Sequence, residues 1–159
     1  MYQHPPTVQD VMSRQVVAVK PETPVVEAHE VIAKHNFDGV PVVDGENRLV
    51  GILTEYDLLV KGSSLHLPTF QKILSELPVY RKDRSRFRNE VKELTALRVR
   101  DVMNSDPLTL AEDAAFEDVV AAFRDHHRVN PIPVIDHERK VVGVVSRFDV
   151  LKLFGELKG

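Results

Sequence analysis

Two segments of this 159-residue chain carry the side chains best suited to chemistry. Thr54-Glu55-Tyr56-Asp57 and Ser146-Arg147-Phe148-Asp149 each place a hydroxyl three residues before a carboxylate, at the end of an apolar run. This spacing has two uses. It is the spacing of a capping box, in which hydroxyl and carboxylate satisfy the free N–H groups of a helix start. The same position offers N–H donors and the positive end of a helix dipole to a phosphate or sugar. A carboxylate there can accept both hydroxyls of a ribose, as an acid does in dinucleotide-binding folds. Spacing alone leaves both uses open, and the duplication strengthens the second.

Other chemistry is missing from the sequence. It contains no Gly-x-Gly-x-x-Gly, no phosphate-loop motif with Lys-Ser/Thr and no Gly-x-Ser-x-Gly. His29-Glu30 and His137-Glu138 begin like a zinc-binding helix motif, but Ala33 and Val141 occupy the second-His positions. His126 and His127 are adjacent and cannot share one helix face. Cys is absent, which removes disulfides, thiolate catalysis and Cys-bound zinc together. The expectation is therefore a non-enzyme with no metal and no resident cofactor.

Composition narrows the setting. Hydrophobic residues at 43% and charged residues at 28% are a globular balance. No run approaches the ~20 apolar residues of a membrane helix, and Met1–Pro6 has neither the basic start nor the apolar stretch of a signal peptide. A cytoplasmic protein with no membrane contact is expected. The net charge of −3 conceals an asymmetry: residues 81–100 hold eight basic and three acidic side chains. That patch is either a salt-bridged helix face or a surface that steers an anionic partner. Nucleic-acid binding wants interleaved aromatics or a known module, which Phe87 alone does not supply.

The elements that position the two boxes form a repeat. Asp10-Val11-Met12 recurs as Asp101-Val102-Met103, and Val40-Pro41-Val42-Val43-Asp44 as Ile132-Pro133-Val134-Ile135-Asp136. Over 40–57 against 132–149, seven of 18 positions are identical. Each half reads as β-α-β-β-α. Short strands are expected at Val16–Val19 and Leu108–Leu110. A helix follows in each, the first with Thr23 as N-cap and Pro24 at its first position. Val25, Ala28, His29 and Ile32 make its apolar stripe, and Phe116, Val119, Val120 and Phe123 make the second. Two strands then flank a turn, Val40–Val43 with Leu49–Leu53 and Ile132–Ile135 with Val141–Val145, and a short helix starts at Thr54 or Ser146. Pro41 and Pro133 sit at strand beginnings, where a missing N–H is tolerated. The 26 valines suit short buried strands. The expected division is a unit at 8–61, a basic helical insertion at 62–98, and a unit at 99–154. Helical stretches are expected between Pro68 and Pro78 and over Arg84–Leu97. Units of ~55 residues are marginal alone, so a shared core and a pseudo-twofold axis are expected.

The Asp-Val-Met start, the Val-Pro-Val-Val-Asp strand and the Gly51-Ile52-Leu53-Thr54-Glu55-Tyr56-Asp57 end resemble a cystathionine-β-synthase (CBS) domain. Asp101–Met103, Ile132–Asp136 and Gly143–Asp149 resemble a second, so the whole resembles a tandem CBS pair, or Bateman module. The resemblance implies an α/β (α+β) fold of two β-α-β-β-α units packed through their sheets. It also implies two clefts between the units for adenosine ligands: AMP, ADP, ATP or S-adenosylmethionine. One unit would wall the base and the other would hold the ribose. Carried over, the first cleft uses Val17, Phe37, Asp38, Val40 and Pro41 with Ser146 and Asp149. The second uses Leu108, Val129, Asn130, Ile132 and Pro133 with Thr54 and Asp57. Arg147 resembles a basic residue that meets phosphate in AMP-activated kinase regulatory subunits. The His-Arg pair of those subunits is replaced by Asp38-Gly39 and Asn130-Pro131, and His127-Arg128 are out of register.

The function implied is that of a non-enzymatic regulatory sensor, homodimeric, acting on a protein partner that the sequence does not identify. Two alternatives stand beside it: a ligand-free dimerisation or interaction module, and nucleic-acid association through the basic insertion.

Overall fold

The computed structural model describes residues 5–58 and 96–156. The expected helix between 68 and 78, all but the last two residues of the one expected over 84–97, and most of the basic patch lie outside these residues.

The first half contains α1 (Val8–Val11), α2 (Val25–His35), β1 (Gly39–Val43) and β2 (Leu49–Thr54), with helical residues 55–58 after them. The second contains α3 (Val99–Val102), β3 (Leu110–Ala111), α4 (Phe116–Asp125), β4 (Ile132–Ile135), β5 (Val141–Val145) and α5 (Arg147–Glu156). The apolar runs pair antiparallel, β1 with β2 and β4 with β5, with bulges at Val42/Val43 and Val134/Ile135. Both hairpins turn on an aspartate. Asp44 Oδ1 accepts from the N–H groups of Glu46 and Arg48 at 2.8 and 2.9 Å. Asp136 Oδ1 accepts from Glu138 and Lys140 at the same distances. The left-handed residue each turn requires is Asn47 (φ 64°) or Arg139 (φ 63°).

The opening strands differ from expectation. β3 is two residues long and pairs parallel with β4. In the first half only Val19 joins the sheet: its N–H donates to Pro41 O and its carbonyl accepts from Val43 N, both at 3.0 Å. Val16 and Ala18 instead pack against Val43, Leu49 and Val141, a small core that joins the two sheets. Here Leu49 N donates to Arg139 O at 2.9 Å, and Val141 N donates to Asn47 O at 3.1 Å.

The halves also exchange their opening helices. Val8 and Met12 belong to the core of the second half, with Val119, Ile132 and Val145. Val99 and Val102 belong to the core of the first, with Ile32, Val40 and Leu53. The exchange follows the pseudo-twofold in its hydrogen bonds. Val25 N donates to Leu97 O and Val99 N to Thr23 O, while Phe116 N donates to Pro6 O and Val8 N to Ala114 O, all at 2.9–3.0 Å. This corrects the expected cap of α2. Pro24 is the N-cap, because the carbonyl of Leu97 satisfies the first helical N–H, and the Thr23 hydroxyl accepts from Lys20 N at 3.1 Å. Glycine permits the close approach in the sheets: a Cβ on Gly51 would stand 2.8 Å from Asn104 O, and one on Gly143 would stand 2.5 Å from Met12 Sδ.

Candidate functional site

Both hydroxyl–carboxylate boxes form. Asp57 Oδ2 accepts from Thr54 N at 3.1 Å and from Thr54 Oγ1 at 2.8 Å, and Asp57 N donates to Thr54 Oγ1 at 3.2 Å. Asp149 Oδ2 accepts from Ser146 N and Ser146 Oγ, each at 2.8 Å. The geometry alone does not mark a site, because Asp10, Asp101 and Asp118 also accept from the N–H three residues earlier. Burial separates them. Asp10, Asp101 and Asp118 are exposed and Asp149 is half-buried, but Asp57 is 8% exposed, the one polar or charged side chain among the described residues that is fully buried.

Asp57 sits where the two halves of the molecule meet. Thr54 and Asp57 share a cavity of about 200 Å³ with Leu108, Val129 and Asn130. The strand end and helix start of the first unit thus face the loops before β3 and β4 of the second. Ile52, Asn104, Pro107 and Pro131 also line the cavity. Ile132 and Pro133, expected at this cleft, are buried in the strand beneath it. Two residues outside the expected set also reach the cavity, Tyr56 and Arg128. Arg128 Nη1 donates to the Tyr56 hydroxyl at 3.2 Å, with the guanidinium 5.8 Å from the ring centre. The His127-Arg128 dipeptide was the available signal; its lack of register with the hydrophobic-Pro step hid it.

The residues expected at the first cleft are less gathered. Val40 and Pro41 are buried in β1. Val17 is half-buried. Phe37 is exposed and stacks on His35 with ring centres 5.0 Å apart. Asp149 lines a cavity of about 350 Å³ with Asp10, Met12, Ser13 and Lys152, which includes none of these wall residues. Asp38 turns toward the other cleft, accepting a short hydrogen bond from Asn130 Nδ2. The Asn130 side-chain carbonyl in turn accepts from Arg147 N at 3.0 Å. The Arg147 guanidinium, expected near a phosphate, closes the end of α4: Nη2 donates to His126 O and His127 O at 3.1 and 2.7 Å. It also lies over the Phe123 ring at 5.2 Å. Cations at a helix C-terminus complement its dipole.

Among the described residues, no group of three His, Asp or Glu side chains is placed to hold a metal ion, and no helix is long and apolar enough to cross a membrane.

A family model described as CBS domain matches residues 8–63 and 99–156. The chain is 28% identical over 144 residues to the chloroplastic CBS domain-containing protein CBSX1 of Arabidopsis thaliana, covering 88% of this chain and 59% of that protein. It is 26% identical over 151 residues to L-aspartate semialdehyde sulfurtransferase of Methanocaldococcus jannaschii, covering 95% of this chain and 24% of that enzyme. The chain thus spans between about a quarter and three-fifths of the length of these curated relatives. Among solved structures, CBSX2 in complex with AMP aligns with a TM-score of 0.69 at 28% identity, over 96% of this chain and 98% of that one. The CBS domain pair of MJ0100, in complex with 5′-methylthioadenosine and S-adenosyl-L-methionine, aligns with a TM-score of 0.65 at 25% identity, over 94% and 100%.

Proposed function

We propose that this chain, which belongs to the CBS domain family as a tandem pair, is a non-enzymatic regulatory module that takes an adenosine-type ligand between its two units. The observation that carries this reading is Asp57: a carboxylate buried at a helix start, facing Leu108 and Val129 of the other unit across a cavity. Such a carboxylate suits ribose hydroxyls, and the apolar wall suits a base. The volume of about 200 Å³ lies below the ~300–1,000 Å³ of drug-sized ligand pockets, so one nucleoside fits better than a dinucleotide. The AMP on CBSX2 and the adenosyl ligands on the MJ0100 pair are of this class.

Because the wall is shared, a bound ligand touches both units. It favours whichever inter-unit arrangement it binds better, which is the only way a ligand shifts an equilibrium. A protein partner that reads that arrangement receives the signal.

A thermal-shift panel of AMP, ADP, ATP and S-adenosylmethionine tests the reading. A ligand at ~100 times its Kd stabilises by about 2.7 kcal/mol, so at least one member raises the melting temperature; a flat panel contradicts the proposal. A flat panel with a stable dimer would favour the second reading, a ligand-free dimerisation module. Phe148 at 73% and Leu151 at 64% exposure on α5 favour that alternative.

A further inference from the structure

The two halves close their long helices by different devices. α2 ends on Asn36 in the left-handed conformation (φ 53°), with Asn36 N donating to Ala33 O at 3.2 Å and Phe37 N to Ile32 O at 3.0 Å. α4 ends on His126 with φ −126° and no left-handed residue after it. Carbonyls at and beyond its end turn to a side chain instead. Arg147 Nη2 serves His126 O and His127 O, Nη1 donates to Phe123 O at 3.4 Å, and the guanidinium rests on the ring of the buried Phe123. A helix end leaves such carbonyls open and favours a cation. The counterpart of Arg147 in the repeat is Glu55, whose ionised carboxylate has no donor to offer them.

The stretch that Arg147 holds is the one that faces Asp57. His126 O also accepts from Val129 N at 3.2 Å, and the Asn130 side-chain carbonyl accepts from Arg147 N. Guanidinium and backbone of one residue thus fix both ends of 126–130. Val129 and Asn130 line the cavity of about 200 Å³ with Asp57, and Arg147 does not. In the first half, where Glu55 stands, the counterpart of Val129 is Phe37, which is exposed. We propose that Arg147 is a positioning residue for the Asp57 cavity: through Val129 and Asn130 it sets the wall on which a nucleoside rests, without itself meeting the phosphate. The inference rests on the adenosine-site reading above.

Calorimetric titration of adenosine and of AMP into the wild-type chain, Arg147→Gln and Arg147→Lys tests this. A wall hydrogen bond out of place corresponds to about a three- to tenfold loss of affinity. Arg147→Gln therefore weakens adenosine and AMP by the same factor, in that range, and hydrogen exchange at Val129 quickens. Arg147→Lys keeps the cation but not the planar fork; it shows part of that loss, and it decides the matter should Arg147→Gln fail to fold. Weakening of AMP alone would make Arg147 a phosphate contact. Wild-type affinity for both nucleosides in the folded variants, whatever their melting temperatures, would make it a helix cap only. Either result overturns the proposal and leaves the adenosine site standing. Failure of wild type to bind either nucleoside overturns the adenosine reading itself, and this proposal with it.

Discussion

Asn130 holds Asp38, its counterpart 92 residues earlier, across the pseudo-twofold axis: its amide donates to Asp38 Oδ2 while its carbonyl accepts from Arg147 N at 3.0 Å. One side chain thus ties the residue before β1 to the loop before β4 and to the first N–H of α5. Asn130→Ala removes both bonds at ~0.5–1.5 kcal/mol each, so a loss of about 1–3 kcal/mol is expected in urea unfolding. Asn130→Asp should be worse than Ala, since it sets a second carboxylate against Asp38. Equal stability of Asn130→Ala and wild type would show that the tie contributes nothing.

The exchange of opening helices makes a remote prediction. Val8 lies near the start of the chain, yet it is fully buried in the core of the second half. Val8→Ala should therefore cost what an interior valine costs, about 1.5–3 kcal/mol. Hydrogen exchange should show α4 and β5 loosening while β1 and β2 change less. Loosening confined to the first half would contradict the exchanged packing.

Acid sensitivity follows from the hairpin turn. Hydrogen bonds from the Arg48 and Glu46 backbone N–H groups hold the Asp44 carboxyl below its ordinary value. A depressed folded-state pKa stabilises the fold above the unfolded value, and that stability is lost as pH falls through the folded one. Wild type should lose this increment below pH ~4. Asp44→Asn, which keeps an acceptor but cannot titrate, should show a shallower decline in melting temperature over the same range. Identical declines would remove Asp44 from the acid response.

Much of this was legible because it is local. The Thr54–Asp57 and Ser146–Asp149 boxes span three residues, the Asp44 and Asp136 turns span four, and the valine-rich strands pair through those turns. The same locality made the repeat visible. What escaped the sequence depends on long-range supply. Thr23 looked like the cap of α2, but Leu97, more than 70 residues away, provides the acceptor for Val25 N. Arg147 had the type for a phosphate contact, yet the carbonyl ends of α4 capture it. Arg128 became a cavity residue only when the chain after α4 folded back over Tyr56. The boxes gave candidates on equal terms; the 8% exposure of Asp57, at a cavity it shares with the opposite unit, sets it apart.

In the proposed function, the inter-unit cavity at Asp57 receives the ribose of an adenosine-type ligand. Titration calorimetry of AMP into wild type and Asp57→Asn tests it most directly, with Asp149→Asn as the matched change at the other box. Asn keeps an acceptor for the Thr54 N–H and hydroxyl, so the helix start survives, while the charge-assisted bond to ribose, worth ~1.5–3 kcal/mol, is lost. A ~10- to 150-fold weaker affinity is expected in Asp57→Asn, with little change in melting temperature. Unchanged affinity in a folded Asp57→Asn would contradict it.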